Sequence, residues 1–177
     1  LRDVFGAPAY RDDELTMFTI GGNRSAEGLA FESRRFRFKE PAARKTMKAP
    51  HFVISDDFDG DGRPDLAIPN CHSRTVAVYY SNRQGSFSKG RHMSSGAGPT
   101  CLASGDLDDD GKVDIVATSY QSHTIDLFYG GPNGFDTTNI QGPAGSEPHG
   151  VVVADLNMDG QADLAVAHGG TSDVTIY

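Results

Sequence analysis

Three nine-residue segments dominated by aspartate begin at residues 57, 106 and 155, a constant interval of 49 residues. The first reads Asp57-Phe58-Asp59-Gly60-Asp61-Gly62-Arg63-Pro64-Asp65. The second is Asp106-Leu107-Asp108-Asp109-Asp110-Gly111-Lys112-Val113-Asp114, and the third is Asp155-Leu156-Asn157-Met158-Asp159-Gly160-Gln161-Ala162-Asp163. An interval held to the residue places each segment at the same point of a repeated structural unit, which restricts the chain to repeat architectures.

The flanks keep the same register. Pro50, Pro99 and Pro148 each precede a short apolar stretch: Phe52-Val53-Ile54, Cys101-Leu102-Ala103 and Val151-Val152-Val153. After the acidic segments come Leu66-Ala67-Ile68, Ile115-Val116-Ala117 and Leu164-Ala165-Val166. Then follow Val76-Ala77-Val78-Tyr79-Tyr80, Ile125-Asp126-Leu127-Phe128-Tyr129 and Val174-Thr175-Ile176-Tyr177, and in two copies a turn closing on Phe87 or Phe135. Short runs rich in β-branched and aromatic residues, separated by glycine, proline and asparagine, read as strands. Four such strands in about 49 residues make one propeller blade, so the expected fold is all-β, built of four-stranded antiparallel repeats. Residues 41–47 offer little apolar face and read as a loop or a single helical turn.

The expected boundaries are 50–98 and 99–147 for two full blades and 148–177 for the first three strands of another. Residues 1–49 then hold the later strands of a first blade. Arg2-Asp3-Val4-Phe5 resembles the close of an acidic segment, with Asp3 in its ninth position. Residues 15–19 read as that blade's third strand, and the alternation in Arg35-Phe36-Arg37-Phe38-Lys39 as its outer strand. This is too little to close a ring. A piece of a larger propeller is expected, with an open stack capped by other chains as the alternative.

Oxygen ligands at positions 1, 3, 5 and 9, with a glycine at 6 for the bend, describe a cage for a hard divalent cation. Asp57, Asp59, Asp61 and Asp65 supply side-chain arms in the first loop, Asp106, Asp108, Asp110 and Asp114 in the second, and Asp155, Asn157, Asp159 and Asp163 in the third. Position 7 is Arg63, Lys112 and Gln161 in turn, so only its backbone carbonyl can be a shared ligand. No histidine or cysteine occupies a ligand position, which disfavours zinc and copper and leaves calcium, one ion per loop. Neutral Asn157 makes the third site the weakest. An EF-hand loop requires a glutamate at position 12 between helices; here that position is Ile68, Ala117 or Val166 between strands, which excludes it.

The formal charge of −8 disfavours a nucleic-acid partner. Much of it sits in the three loops, and three divalent cations would bring it to about −2. No apolar run approaches the roughly 20 residues that span a bilayer. Asn23-Arg24-Ser25 fits a glycosylation sequon that matters only in a secreted chain.

With the loops in register with the strands, the chain resembles the FG-GAP/VCBS repeat family, the calcium-bearing blade of integrin-α-type propellers, over nearly its whole length. It is closer to the VCBS type, because no Gly-Ala-Pro follows the three loops; Gly6-Ala7-Pro8 is the only such triplet in a comparable place. The resemblance implies that the loops join the first two strands of a blade on the lower face and that partners bind the opposite face. That upper face would carry His51, Thr100 and His149, and residues 70–74, 119–123 and 168–172. Cys71 and Cys101 would lie there in adjacent blades, either as a disulfide or as two free thiols. The function so implied is a non-catalytic, calcium-stabilised scaffold for protein or glycan recognition and adhesion, at the cell surface, outside the cell or in an organelle lumen. The alternatives are an architectural subunit of a larger assembly, or the propeller part of a polysaccharide lyase or hydrolase. No nucleophile–base pair or nucleotide-binding glycine loop supports catalysis.

Overall fold

The computed structural model describes residues 46, 48–84, 86–132, 134–135, 140–143 and 145–177, and the strands at 14–19 and 32–37. The chain divides into two units, 1–44 and 45–177. In the first, β1 (Glu14–Thr19) pairs antiparallel with β2 (Glu32–Arg37), where two strands were expected. The readings of Asp3, of Gly6-Ala7-Pro8, of the sequon and of most of residues 41–47 lie outside the described residues.

The second unit is a stack of antiparallel sheets. One sheet contains β3 (Leu66–Asn70), β4 (Thr75–Tyr79) and β5 (Arg91–Ser94) in that order. The next contains β6 (Pro99–Gly105), β7 (Asp114–Ser119), β8 (Thr124–Phe128) and β9 (Ile140–Pro143). The last contains β10 (Pro148–Ala154), β11 (Asp163–His168) and β12 (Asp173–Ile176). The fold is all-β, in blades of a partial propeller; the described residues hold no α-helix, only a single 3-10 turn at Cys71–Ser73.

One expected strand does not form. Residues 52–54 run beside β3 but make only isolated bridges, Pro50 with Asn70 and Ile54 with Ala67, where β6 and β10 are full strands of seven residues. The cause lies across the ladder. Ile54 and Ala67 exchange both backbone hydrogen bonds, each at 3.0 Å. The next such rung, two residues on, would need an N–H from Pro69, which proline lacks. Its counterparts Thr118 and Ala167 leave the other ladders intact. The Pro69 carbonyl instead accepts from His51 N–H at 3.3 Å.

The central strands record how the sheets stack. Successive residues of a strand point to opposite faces. In β3, Ala67 is buried while Leu66 and Ile68 are half-exposed; in β7 every residue is buried; in β11 the burial moves to Leu164 and Val166. The middle sheet is therefore covered on both faces. One face of the first sheet, with Phe58, Ala67, Val76 and Val78, packs on Leu102, Ile115, Ala117 and Phe128 of the second. Moved on by 49 residues, the same pattern recurs: Leu107, Val116, Ile125 and Leu127 pack on Val151, Leu164 and Val166 of the third. Ser104 Oγ donates to Asp56 Oδ2 at 2.8 Å across the first junction. Buried Asp126 ties the middle sheet's far end together, accepting from Gly96 N–H at 3.1 Å and from Ser119 Oγ at 2.6 Å.

Leu66 and Ile115 occupy the same register, but Leu66 is half-exposed whereas Ile115 is buried against a neighbouring sheet. Ile115→Ala should cost about 2–5 kcal/mol in urea unfolding and Leu66→Ala less than about half of that. Equal costs would contradict the stacking.

Candidate metal sites

Each acidic loop leaves one strand position and enters the next through the same set of backbone donations. Position 1 takes two amides: Asp57 accepts from Asp61 N–H at 3.0 Å and Gly62 N–H at 2.8 Å. Asp106 accepts from Asp110 and Gly111 at 3.1 and 2.8 Å, and Asp155 from Asp159 and Gly160 at 3.0 and 2.9 Å. Position 3 accepts from the position-5 amide and position 5 from the position-7 amide in every copy. These bonds wind the loop around its own carboxylates.

The winding needs a left-handed backbone at two places. Position 6 is glycine in all three copies, at φ 81°, 79° and 92°. Position 4 is left-handed too, in Gly60 but also in Asp109 (φ 59°) and Met158 (φ 63°), where a side chain makes that conformation costly.

The ninth position does a job that ligand spacing does not announce. Asp65 is fully buried, and both of its oxygens are held by amides, Phe58 N–H at 3.0 Å and Ser81 N–H at 2.7 Å. Asp114 repeats this with Leu107 N–H at 2.8 Å and Gly130 N–H at 2.7 Å. The carboxylate thus pins the start of the loop to the exit of the third strand. Asp163 is half-exposed and holds Leu156 N–H at 2.9 Å and Asn157 N–H at 3.3 Å, both on Oδ2.

Burial pushes the carboxyls of Asp65 and Asp114 above the ordinary aspartate value, against the lowering effect of their amide donors. The neighbouring acids, Asp59 and Asp61 or Asp108 and Asp110, push the same way. The exposed Asp110 goes down, held by the Lys112 ammonium it pairs with, and Lys112 goes up for the same reason. Arg63 pairs likewise with Asp61.

Carboxylate oxygens of Asp57, Asp59 and Asp61 lie within 4.8 Å of one another, as do those of Asp106, Asp108 and Asp114. The donor sets are oxygen only, which fits a hard cation. Asp65 is not in the first cluster, nor Asp110 in the second, where it is turned to Lys112. No third such cluster of acids occurs among the described residues. In the third loop Asn157 stands between the acids and donates its Nδ2 to Asp159 Oδ2 at 2.9 Å. Arg63, Lys112 and Gln161 each give their amide to position 5, and the first two add a cationic side chain. The loops of the first two sheets share a cleft of roughly 370 Å³, with Asp57 and Asp59 on one wall and Lys112 on the other.

Reading the loops for oxygen ligands overlooks position 2. Phe58 is 3% exposed, its ring 5.7 Å from that of Phe135 in the next sheet's outer turn, and Leu107 packs on the third sheet. An apolar residue recurring at 58, 107 and 156, directly after the first aspartate of each loop, was the available signal.

At the opposite end of the strands, His149 stacks on Tyr120 with centroids 5.6 Å apart, and Gln121 Nε2 donates to Tyr120 Oη at 2.7 Å. His51, His72 and His123 are exposed there, whereas Asn70, Ser119 and His168 are buried and withdrawn from any surface role. The disulfide alternative is not realised: Cys71 and Cys101 are free thiols, one buried in the 3-10 turn and one half-buried in β6.

A sequence profile of the FG-GAP-like repeat matches residues 57–117 and again 106–166, each match running from one acidic loop through the next. No curated protein matches the chain. No helix among the described residues is long and apolar enough to cross a membrane.

In calcium-free buffer Asp65→Ala strands two buried amides at about 1–3 kcal/mol each, so unfolding should show a loss of roughly 2–6 kcal/mol. Asp59→Ala, whose carboxylate is exposed, should then cost under about 1 kcal/mol. The pH dependence has a definite sign. A carboxyl raised by burial binds its proton more tightly folded than unfolded. The contribution of Asp65 and Asp114 to metal-free stability therefore falls as pH rises from the unfolded value near 3.9 through their raised folded values. Thermal melts across this window should show that slope in the native chain and a flatter one in Asp65→Asn/Asp114→Asn.

Proposed function

Because the chain belongs to the FG-GAP-like repeat family, whose members are typically non-catalytic, extracellular scaffolds, we propose that it is a calcium-stabilised propeller scaffold presenting a recognition surface for a protein or glycan outside the cell. The observation that carries this reading is the shared set of amide donations to positions 1, 3 and 5 of three loops, with carboxylates gathered in the first two. Residues 50–98, 99–147 and 148–177 are its repeat units. Calcium is held by Asp57, Asp59 and Asp61 with Asp65 in the first loop, and by Asp106, Asp108 and Asp114 with Asp110 in the second. Asp155, Asn157, Asp159 and Asp163 form the third and weakest site, and the carbonyls of Arg63, Lys112 and Gln161 complete the sets.

The cation supplies charge neutralisation. Two carboxylates about 4 Å apart repel by on the order of 4 kcal/mol at an effective dielectric near 20. Calcium removes that repulsion and fixes the loop, and the position-9 clamp passes the order to the strand exit. Recognition falls to the far end, where the Tyr120–His149 pair offers an aromatic surface beside Gln121 and His123. Stacked rings flanked by hydrogen-bonding groups suit the apolar face and hydroxyls of a sugar, or a protein loop.

Calcium at 100 times its dissociation constant should stabilise the fold by about 2.7 kcal/mol per site. Asp108→Ala should lower the melting temperature in calcium and change it little in calcium-free buffer; equal losses in both would argue against the metal. On a glycan and protein array, calcium-dependent retention without turnover supports recognition. Release of a cleaved polysaccharide would instead favour an enzyme.

A further inference from the structure

Aspartate followed by glycine is a dipeptide prone to attack itself, because glycine sets no side chain beside its own amide nitrogen. The chain holds four such pairs, Asp59–Gly60, Asp61–Gly62, Asp110–Gly111 and Asp159–Gly160, all within the acidic loops. Composition makes them equivalent, and the fold separates them.

In three pairs the glycine amide is already committed. Gly62 N–H donates to Asp57 Oδ2 at 2.8 Å, Gly111 N–H to Asp106 Oδ2 at 2.8 Å and Gly160 N–H to Asp155 Oδ2 at 2.9 Å. These are position-6 amides, and the aspartate before each also accepts the position-7 amide. Asp59–Gly60 falls at positions 3 and 4 instead. The Gly60 amide has no hydrogen-bond partner among the described residues. Both residues are exposed, and a methyl group at Gly60 would meet nothing within 4 Å. The other two loops carry Asp109 and Met158 at position 4, so only the first combines aspartate, glycine and an uncommitted amide.

We propose that Asp59–Gly60 is a spontaneous modification site, at which the peptide isomerises to isoaspartate. The Gly60 nitrogen attacks Cγ of Asp59, and the new N–Cγ bond closes a cyclic imide. One carboxyl oxygen leaves as water, carrying the amide proton and a proton from solvent. Water then opens the ring. Cleavage of the N–Cγ bond restores aspartate, whereas cleavage between the nitrogen and the Asp59 carbonyl carbon leaves the main chain running through Cγ. The water lost is regained, so mass is unchanged. The main chain is then one carbon longer and the side chain one carbon shorter, which moves the oxygen that accepts from Asp61 N–H at 3.2 Å. Isomerisation here needs no cation and follows from the amide bonding of the loop alone.

The whole chain is incubated in calcium-free buffer at neutral pH, and isoaspartate is followed with an isoaspartate-specific carboxyl methyltransferase and located by peptide fragmentation. Rates in concentrated urea give the intrinsic reactivity of each pair, against which native rates are scaled. An amide held by a charged acceptor must first release it, so Asp61, Asp110 and Asp159 should convert at least about tenfold more slowly than Asp59. Asp57→Ala frees the Gly62 amide and should raise conversion at Asp61 toward that at Asp59. Should that variant unwind the first loop, Asp106→Ala makes the same test at Asp110 without touching Asp59. Deamidation at Asn133–Gly134 changes the mass of its peptide and is counted apart. Three results would overturn the proposal: scaled native conversion at Asp61, Asp110 or Asp159 that matches Asp59, no native conversion at Asp59 while the chain in urea converts there, or an Asp106→Ala variant in which Asp110 stays as slow as before.

Discussion

A buried carboxylate with an amide on each oxygen is the contact from which the repeat is organised. Asp65 reaches back to Phe58 N–H and across to Ser81 N–H; Asp114 does the same with Leu107 and Gly130. An isolated buried charge is expensive, and two short amide bonds offset much of that cost. Once it is formed, the loop start, the second strand and the exit of the third strand are fixed relative to one another. Three chain segments, separated by 7 and 16 residues, are then held by one side chain.

Fixing the loop start also places position 2. The amide that Asp65 holds belongs to Phe58, whose ring enters the core between the first and second sheets. Asp114 holds the amide of Leu107, which enters the next junction. In these two loops one face is thus carboxylate and solvent-directed, and its neighbour along the chain is apolar and inserted between sheets. Charge chemistry on the surface and packing in the interior meet within two residues. In the proposed reading, a cation that stiffens the loop stiffens the junction as well.

The 49-residue interval made the repeat, the strand order and the acidic loops legible, because a period and a ligand spacing are properties of sequence alone. What stayed hidden depended on partners across space. Residues 52–54 have strand composition, but the ladder fails because Pro69, on the neighbouring strand, lacks a donor. Aspartate at position 9 has the same composition whether it faces a cation or two amides, so the clamp was not readable from spacing. Asp109 and Met158 give no hint of a left-handed backbone, since that is imposed by the amide donations around them. Asn70, Ser119 and His168 resemble surface polar residues until the turns that bury them are seen.

The third loop shows how much of the framework is independent of charge. Its oxygens at positions 1, 3 and 5 accept the same amides as in the other two loops although Asn157 stands where they carry aspartate, because a carboxamide oxygen accepts as a carboxylate oxygen does. Asn157 also donates its Nδ2 to Asp159 Oδ2 at 2.9 Å, a bond that no ionised aspartate at that position can make. The loop is therefore held together with one negative charge fewer to repel, and in the proposed reading the same residue leaves its cation the least charge to meet.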